Sequence, residues 1–264
     1  MFDGKRKWLA ALGGLVVLLG ALYGAWYLFI RDDPKDLAIA PITDDLKTPS
    51  AAASSPTTAT GGTTPATAAA SATASPTRAA AAPAGATAFA IVGDRSEAAY
   101  FAPERLSRLP TGSTAKGATR KITGTFYLTS TGLATGTASA FTVEVSNLTS
   151  DVGMRDNRVR QTLETTRFPT ATFTVTGLTG FPATIPSTGT GAAFKMTGTL
   201  EVHGVKKEVT WDATILRDGA VISALAKVKV RYDDFGMQPP NIANFVTVED
   251  SLELQIQIVA TAQS

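Results

Sequence analysis

Alternation of apolar and polar residues over residues 193–215 is the feature that most restricts the fold of this chain. Before residue 203 and again after residue 208, every second position is mostly apolar: Phe194, Met196, Leu200, Val202, Val209, Trp211, Ala213 and Ile215. Side chains of a strand point to opposite faces with a period of two, so the pattern predicts two strands, each with one apolar face. The residues His203 to Lys206 between them predict a tight turn. Such a sheet must cover its apolar face with another layer or enclose it in a barrel.

The same alternation recurs along residues 89–264 in about eight segments, separated by turn residues such as those at 130–132 and 217–219. One segment, residues 151–164, has its apolar residues Met154, Val159 and Leu163 at helical spacing instead. The prediction is an all-β domain of eight antiparallel strands with one short helix, closed as a barrel or packed as a sandwich. Small residues on the apolar faces, Gly124, Gly198, Ala224 and Ala226, favour a barrel with internal space; they could also mark close sheet contacts.

If the barrel has a lumen, its walls come from the inward positions of these strands. The candidate lumen residues are Phe126, Leu128, Phe141, Val143, Phe173, Val175, Phe194, Met196, Leu200 and Trp211. Each of them could equally be plain core, but as a set they would line an apolar pocket. The segment from Tyr232 to Phe245 is rich in glycine, proline and aromatics, and Phe235, Met237 and Phe245 could close the barrel as a lid.

The N-terminus predicts a membrane anchor. Residues 8–30 form an uncharged apolar run of 23 residues, preceded by Lys5, Arg6 and Lys7. A helix of that length spans about 35 Å, enough for a hydrocarbon core of about 30 Å. The basic flank predicts a cytoplasmic stretch at residues 1–7 and a C-terminal domain outside the cytoplasm, so we expect a single-pass protein of the cell membrane. The alternative is a cleaved signal peptide, whose apolar region is usually shorter.

Residues 31–88 predict a disordered linker between anchor and domain. From residue 48 to residue 88 almost every residue is alanine, threonine, serine, proline or glycine, with Arg78 as the charged exception. A segment with so few large apolar side chains cannot offset the entropy of its own ordering.

Composition argues against several classes of function. The chain has 24 basic and 22 acidic residues, with no basic stripe in the domain, so nucleic acid is not an expected partner. It has no cysteine and one histidine, His203, too few for a usual zinc site, and we expect no metal. No Gly-x-Ser-x-Gly motif is present, and the adjacent Asp233 and Asp234 are expected in a turn. We therefore expect neither an enzyme nor a protein with a cofactor.

Two motifs of the domain resemble the YceI-like family. Residues 156–160 (DNRVR) leading to residues 167–173 (RFPTATF) are similar to its RD…L…F…P…F stretch, and residues 197–205 (TGTLEVHGV) are similar to its GDLTLHGV hairpin. The end of the chain from residue 248 resembles its terminal strand. The chain departs from the family at residues 94–101 (DRSEAAYF), where the family often has a histidine. The resemblance covers about residues 89–262. It implies a lipocalin-like barrel, usually exported, that binds a long isoprenoid or other lipid.

The favoured hypothesis is therefore a membrane-tethered, extracytoplasmic protein that holds a long, quinone-like isoprenoid or another apolar chain in a barrel lumen. One alternative is a structural or adhesive barrel with a filled core and no ligand. An enzyme of unknown chemistry is the least favoured. The sequence gives no indication of a protein partner.

Overall fold

A computed structural model describes residues 34–47, 82–106, 112–242 and 246–263 of the chain. Within them strands dominate. The strands are β1 (Thr87–Ile91), β2 (Glu97–Leu106), β3 (Gly112–Thr119), β4 (Ile122–Thr129), β5 (Gly132–Leu133), β6 (Ser139–Glu144), β7 (Thr170–Thr179), β8 (Ala192–Val202), β9 (Val205–Asp218), β10 (Val221–Arg231), β11 (Asn241–Ile242), β12 (Val246–Val248) and β13 (Ser251–Ala262). The helices are α1 (Asp44–Lys47) and α2 (Gly153–Thr162).

Eight of these strands close into an antiparallel barrel, which confirms the predicted all-β barrel of the domain. The ring runs β1-β4-β6-β7-β8-β9-β10-β13, and β13 pairs back with β1. Closure leaves no free edge in the ring, so every ring strand has hydrogen-bonding neighbours on both sides. The apolar positions of the sequence alternation face inward and form one continuous core.

Strand β13 is long enough to pair with two partners in succession. Its end pairs with β1 through Phe89↔Ala262, and its beginning pairs with β2 through Phe101↔Glu253. A 3-10 turn over Gly93–Arg95 separates β1 from β2. Buried Ser96 holds this corner, because its hydroxyl accepts a hydrogen bond from the Val259 N–H at 3.0 Å. β2 and its neighbour β3 therefore extend the barrel wall beyond the closed ring.

The hairpin that the sequence predicts between β8 and β9 is present, with a shorter turn. Val202 pairs with Val205, so His203 and Gly204 alone form the turn. Both have positive φ, 54° and 74°, the conformation of a two-residue turn that matches strand twist. Lys206, which the sequence places in the turn, already belongs to β9.

Helix α2 confirms the predicted helix within residues 151–164. Val159 and Leu163 are partly buried against the core, as their spacing predicts. Met154 differs from that expectation, because its side chain is 82% exposed. It lies in the first turn of α2.

The predicted anchor, residues 8–30, lies outside the described residues, as does most of the predicted linker. Among the residues that the structure describes, no helix is long and apolar enough to cross a membrane.

The described part of the predicted linker does not behave as a free tether. Residues 34–47, which we name the strap, contact the outer wall of the barrel. The Leu37 N–H donates to Gln255 Oε1 at 2.7 Å, and Lys227 Nζ pairs with Asp36 Oδ2 at 2.6 Å. At the other end of the strap, Arg95 pairs with Asp45 at 2.9 Å. Sequence alternation predicts that Gln255 faces solvent on the outside of the barrel. Its side chain contacts the strap there, and the residue is only 1% exposed.

We expect Gln255→Ala to release the strap. The Gln255 amide accepts from the Leu37 N–H and donates to Asp36 at 2.9 Å, so its loss removes two hydrogen bonds to the strap, each contributing about 0.5–1.5 kcal/mol. Tryptic cleavage after exposed Lys35 should accelerate, and the melting temperature should fall. Gln257→Ala is the matched control on the same strand, because the Gln257 Nε2 has no hydrogen-bond partner among the described residues. Equal sensitivity of both variants would contradict the role of Gln255.

Candidate functional site

Among the described residues, two apolar cavities lie in the barrel interior. The larger, which we name the α2 chamber, has a volume of about 140 Å³ and lies at the barrel end covered by α2 and residues 233–240. Its walls are almost entirely apolar. Of the ten lumen residues expected from the sequence, five line it: Phe141, Val143, Phe173, Leu200 and Trp211.

The second cavity, which we name the far chamber, has a volume of about 50 Å³. The other five expected lumen residues line it: Phe126, Leu128, Val175, Phe194 and Met196. The structure therefore places all ten in the barrel interior, split evenly between two chambers.

An aromatic layer lies between the chambers. We name it the septum; its members are Phe126, Phe141, Phe173 and Trp211, all buried. Neighbouring rings are in contact distance, with centroids 5.4 Å apart for Phe141 and Phe173 and 5.6 Å apart for Phe173 and Trp211. Such tilted and edge-to-face pairs add stability beyond the area they bury.

The expectation that inward glycines leave free space is wrong at both positions. Gly198 does face inward, but a Cβ on it would lie 2.6 Å from Phe173 Cζ and 2.2 Å from the Thr174 carbonyl oxygen. A Cβ on Gly124 would lie 2.6 Å from Phe141 Cα. These glycines mark close contacts, the alternative that the sequence left open. Ala224 and Ala226, in contrast, do line the far chamber.

One polar group of the septum is unsatisfied. The Trp211 side chain is 3% exposed, and its indole N–H has no hydrogen-bond partner among the described residues. An unpaired buried donor costs about 1–3 kcal/mol. Trp211 lines the α2 chamber.

Two tyrosines form the polar rim of the α2 chamber. Tyr100 and Tyr232 both line it and are buried. Burial raises the pKa of Tyr232 to about 12 and raises the pKa of Tyr100 further. Both hydroxyls therefore stay neutral and can donate or accept a hydrogen bond.

A carboxylate and a guanidinium lie beside this rim. Glu104 Oε1 is 3.6 Å from Arg155 Nε, and Arg155 also pairs with Asp151 at 2.5 Å. Burial raises the pKa of Glu104, and the charge of Arg155 opposes that rise. Arg155 thereby ties α2 to β2 at the end of the barrel.

Sequence reasoning missed the two tyrosines, although the signal for them was present. Tyr100 lies at every second position with Ala98 and Ala102, which face the core. Tyr232 follows Val228 and Val230 at the same spacing, so it faces inward as they do. Glu104 and Arg155 carry no such local signal, because β2 and α2 meet only in the folded barrel.

The structure describes two of the three residues proposed for a lid. Phe235 and Met237 are buried and line the α2 chamber, whereas Phe245 lies outside the described residues. A 3-10 turn over Asp233–Phe235 confirms that the two aspartates are turn residues. Asp233 pairs with Arg231 at 2.9 Å, and Asp234 pairs with Lys207 at 2.6 Å.

His203 has a structural environment in the hairpin turn. Its ring packs against Phe168 with centroids 4.9 Å apart, and its Nε2 is 3.4 Å from Glu164 Oε1. Within the described ranges, no cluster of three or more histidine, cysteine or acidic residues could hold a metal ion.

The domain is thus a closed eight-stranded antiparallel barrel with an apolar interior and polar groups at one end. The YceI-like domain model matches residues 89–260, and the chain belongs to that family. This match confirms the family that the sequence motifs indicate.

Solved structures show the same fold. Burkholderia cenocepacia BcnA is 19% identical, with a TM-score of 0.50 over 65% of this chain and 99% of that one. A polyisoprenoid binding domain from Saccharophagus degradans, implicated in plant cell wall breakdown, is 14% identical, with a TM-score of 0.51 over 66% of this chain and 98% of that one. A search of curated proteins gives no match.

Proposed function

We propose that this protein binds an apolar chain of the isoprenoid class in the α2 chamber. The observation that carries the proposal is the chamber itself, a cavity of about 140 Å³ with apolar walls and two neutral tyrosines at its rim. Burying apolar area gives about 25 cal/mol per Å², which supplies the affinity. The tyrosine hydroxyls then select a ligand with a polar end.

Membership of the YceI-like family and the Saccharophagus polyisoprenoid binding domain support this ligand class. We propose binding and no catalysis, because the described residues that line the α2 chamber bring no nucleophile together with a base. Polar groups of this lining include the hydroxyls of Tyr100 and Tyr232 and the Trp211 indole, whereas the Gln255 amide bonds to the strap outside the barrel.

We further propose that residues 8–30 anchor the chain in the membrane, with the barrel outside the cytoplasm. The uncharged run and the preceding basic residues support this. The strap contacts β10 and β13 from Asp36 onward, only a few residues after the proposed span. The barrel would therefore lie close to the bilayer that supplies its ligand.

Protease added to spheroplasts should degrade the barrel, and carbonate washing should leave the anchor in the membrane. A soluble mature chain would contradict the anchor.

Ala171→Phe is expected to abolish most ligand binding by filling the α2 chamber. Ala171 lines that chamber and pairs with Val143 across the sheet. Solvent extraction of the purified full chain, followed by mass spectrometry, should recover an isoprenoid from the wild type and at least tenfold less from the variant. The added ring occupies existing space, so stability should change by less than the roughly 1–3 kcal/mol of an overpacked core.

Ala140→Phe is the matched control. Ala140 neighbours Phe141 on the same strand and points to the opposite, outer face. Lipid recovery should be unchanged in this variant. Absence of any lipid from the wild type, together with marked destabilisation by Ala171→Phe, would favour the alternative of a filled structural barrel, to which the septum and the small far chamber lend support.

A further inference from the structure

The septum makes the barrel interior two compartments instead of one channel. Among the residues that line the two chambers, only Ile256 belongs to both. Phe141, Phe173 and Trp211 line the α2 chamber, and Phe126, whose ring centroid is 6.2 Å from that of Phe141, lines the far chamber. A chain that enters the α2 chamber therefore meets aromatic rings before it reaches the far chamber.

Two bare glycine backbones fix the septum in place. The ring of Phe173 lies over Gly198, where any Cβ would overlap it, and the backbone of Phe141 lies against Gly124 in the same way. Phe141 and Phe173 are also direct partners in the β6–β7 ladder. Phe173 is 0% exposed and contacts both other septum rings that line the α2 chamber, Phe141 and Trp211. Its ring therefore joins the other two septum rings of this chamber to the wall at Gly198.

The chamber volumes limit how much of a ligand the closed interior can hold. The α2 chamber, at 140 Å³, is close to the roughly 150 Å³ of a protein cavity that holds one benzene molecule. One isoprene unit, with five carbon atoms, is of similar size. Pockets for whole ligands measure about 300–1,000 Å³. A long isoprenoid cannot lie wholly inside while the septum is intact.

We propose that Phe173 determines the chain length that the lumen accepts. With its ring over Gly198, the septum stops the ligand tail after about the first one or two isoprene units. The rest of a longer tail stays outside the barrel, near α2. This inference rests on the proposed function, since it concerns the ligand of the same chamber.

The prediction is a plateau in affinity against tail length. Each methylene group removed from water strengthens binding by about fourfold. Units that enter the α2 chamber should raise affinity steeply, and units that the septum keeps outside the barrel should add little. Removing the Phe173 ring opens roughly a benzene-sized space and joins the two chambers, so the plateau should move to longer tails.

The test uses the full chain in detergent micelles and benzoquinones with tails of one, two, four and eight isoprene units. Binding is measured by quenching of Trp211 fluorescence, with Trp8→Phe and Trp26→Phe in every variant so that one tryptophan remains. In the otherwise unchanged chain, affinities for two, four and eight units should agree within about threefold, less than the effect of one buried methylene. In Phe173→Ala, four units should bind at least tenfold more tightly than two.

Two further variants keep the test decisive. Phe173→Leu retains an apolar side chain and a folded core, and should shift the plateau in the same direction by a smaller factor. Phe194→Ala enlarges the far chamber and leaves the septum residues unchanged, since Phe194 packs edge-to-face against Phe181 with ring centroids 5.4 Å apart. This variant should leave the plateau in place.

An affinity that keeps rising to eight units in the unchanged chain would overturn the length limit while leaving the proposed function intact. An unmoved plateau in both Phe173 variants would also overturn it. Absence of binding at every tail length would instead refute the proposed function, and the inference with it.

Discussion

Gly124→Ala is expected to destabilise the barrel by about 3–5 kcal/mol, because strain in the backbone and overlap in the core act together. Gly124 has φ +154°, a conformation that residues with a side chain rarely adopt. A Cβ there would lie 2.3 Å from the Ala140 carbonyl oxygen and 2.6 Å from Phe141 Cα. Both neighbours are backbone atoms of β6, so relief requires β4 and β6 to separate. Thermal unfolding followed by near-ultraviolet circular dichroism should show the loss.

Gly177→Ala is the control for this prediction. Gly177 also lies in a ring strand, β7, but a Cβ there would meet nothing within 4 Å, and its φ lies outside the left-handed range. At such a site alanine should be neutral or stabilise by up to about 1 kcal/mol, through the unfolded state. Similar losses in both variants would mean that glycine matters here for strand register and not for the approach of β4 to Phe141.

The sequence determines which side chains face the lumen, because that depends only on local alternation. Phe126, Phe141 and Phe173 stand at inward positions for this reason alone. The division of the lumen does not follow from alternation. It depends on register: Val175 pairs with Gly198, and the ladder shifts between Val175 and Gly177. A one-residue difference in that pairing would move the Phe173 ring away from Gly198.

The strap could not be predicted from local pattern either. Its partner Gln255 alternates with apolar residues, as a solvent-facing strand residue would, and lies 218 residues from Leu37. Alternation shows which side chains of a strand face outward. It does not show which other segment of the chain packs on that outer face. The same limit applies to Glu104 and Arg155, which come together only because α2 closes the barrel end near β2.

Alkaline pH should unfold this protein through the two rim tyrosines. Desolvation is the first cause of the raised pKa of both Tyr100 and Tyr232. In the unfolded chain their pKa is about 10, so between pH 10 and the folded value of about 12 for Tyr232 the unfolded state binds fewer protons than the native state. Stability is therefore independent of these groups below pH 10 and falls above it, by about 1.4 kcal/mol per pH unit for each tyrosine.

The measurement is the free energy of unfolding between pH 9 and pH 11.5, with tyrosinate absorbance recorded in parallel. Tyr232→Phe should remove about half of the fall that the pair causes, and the double variant with Tyr100→Phe should remove that fall entirely. In the wild type, two tyrosines should ionise only as the barrel unfolds, because each hydroxyl loses its proton only when water reaches it. A fall of the same slope in the double variant, or full tyrosinate absorbance in a still-folded wild type, would show that neither hydroxyl is held neutral at the rim of the α2 chamber.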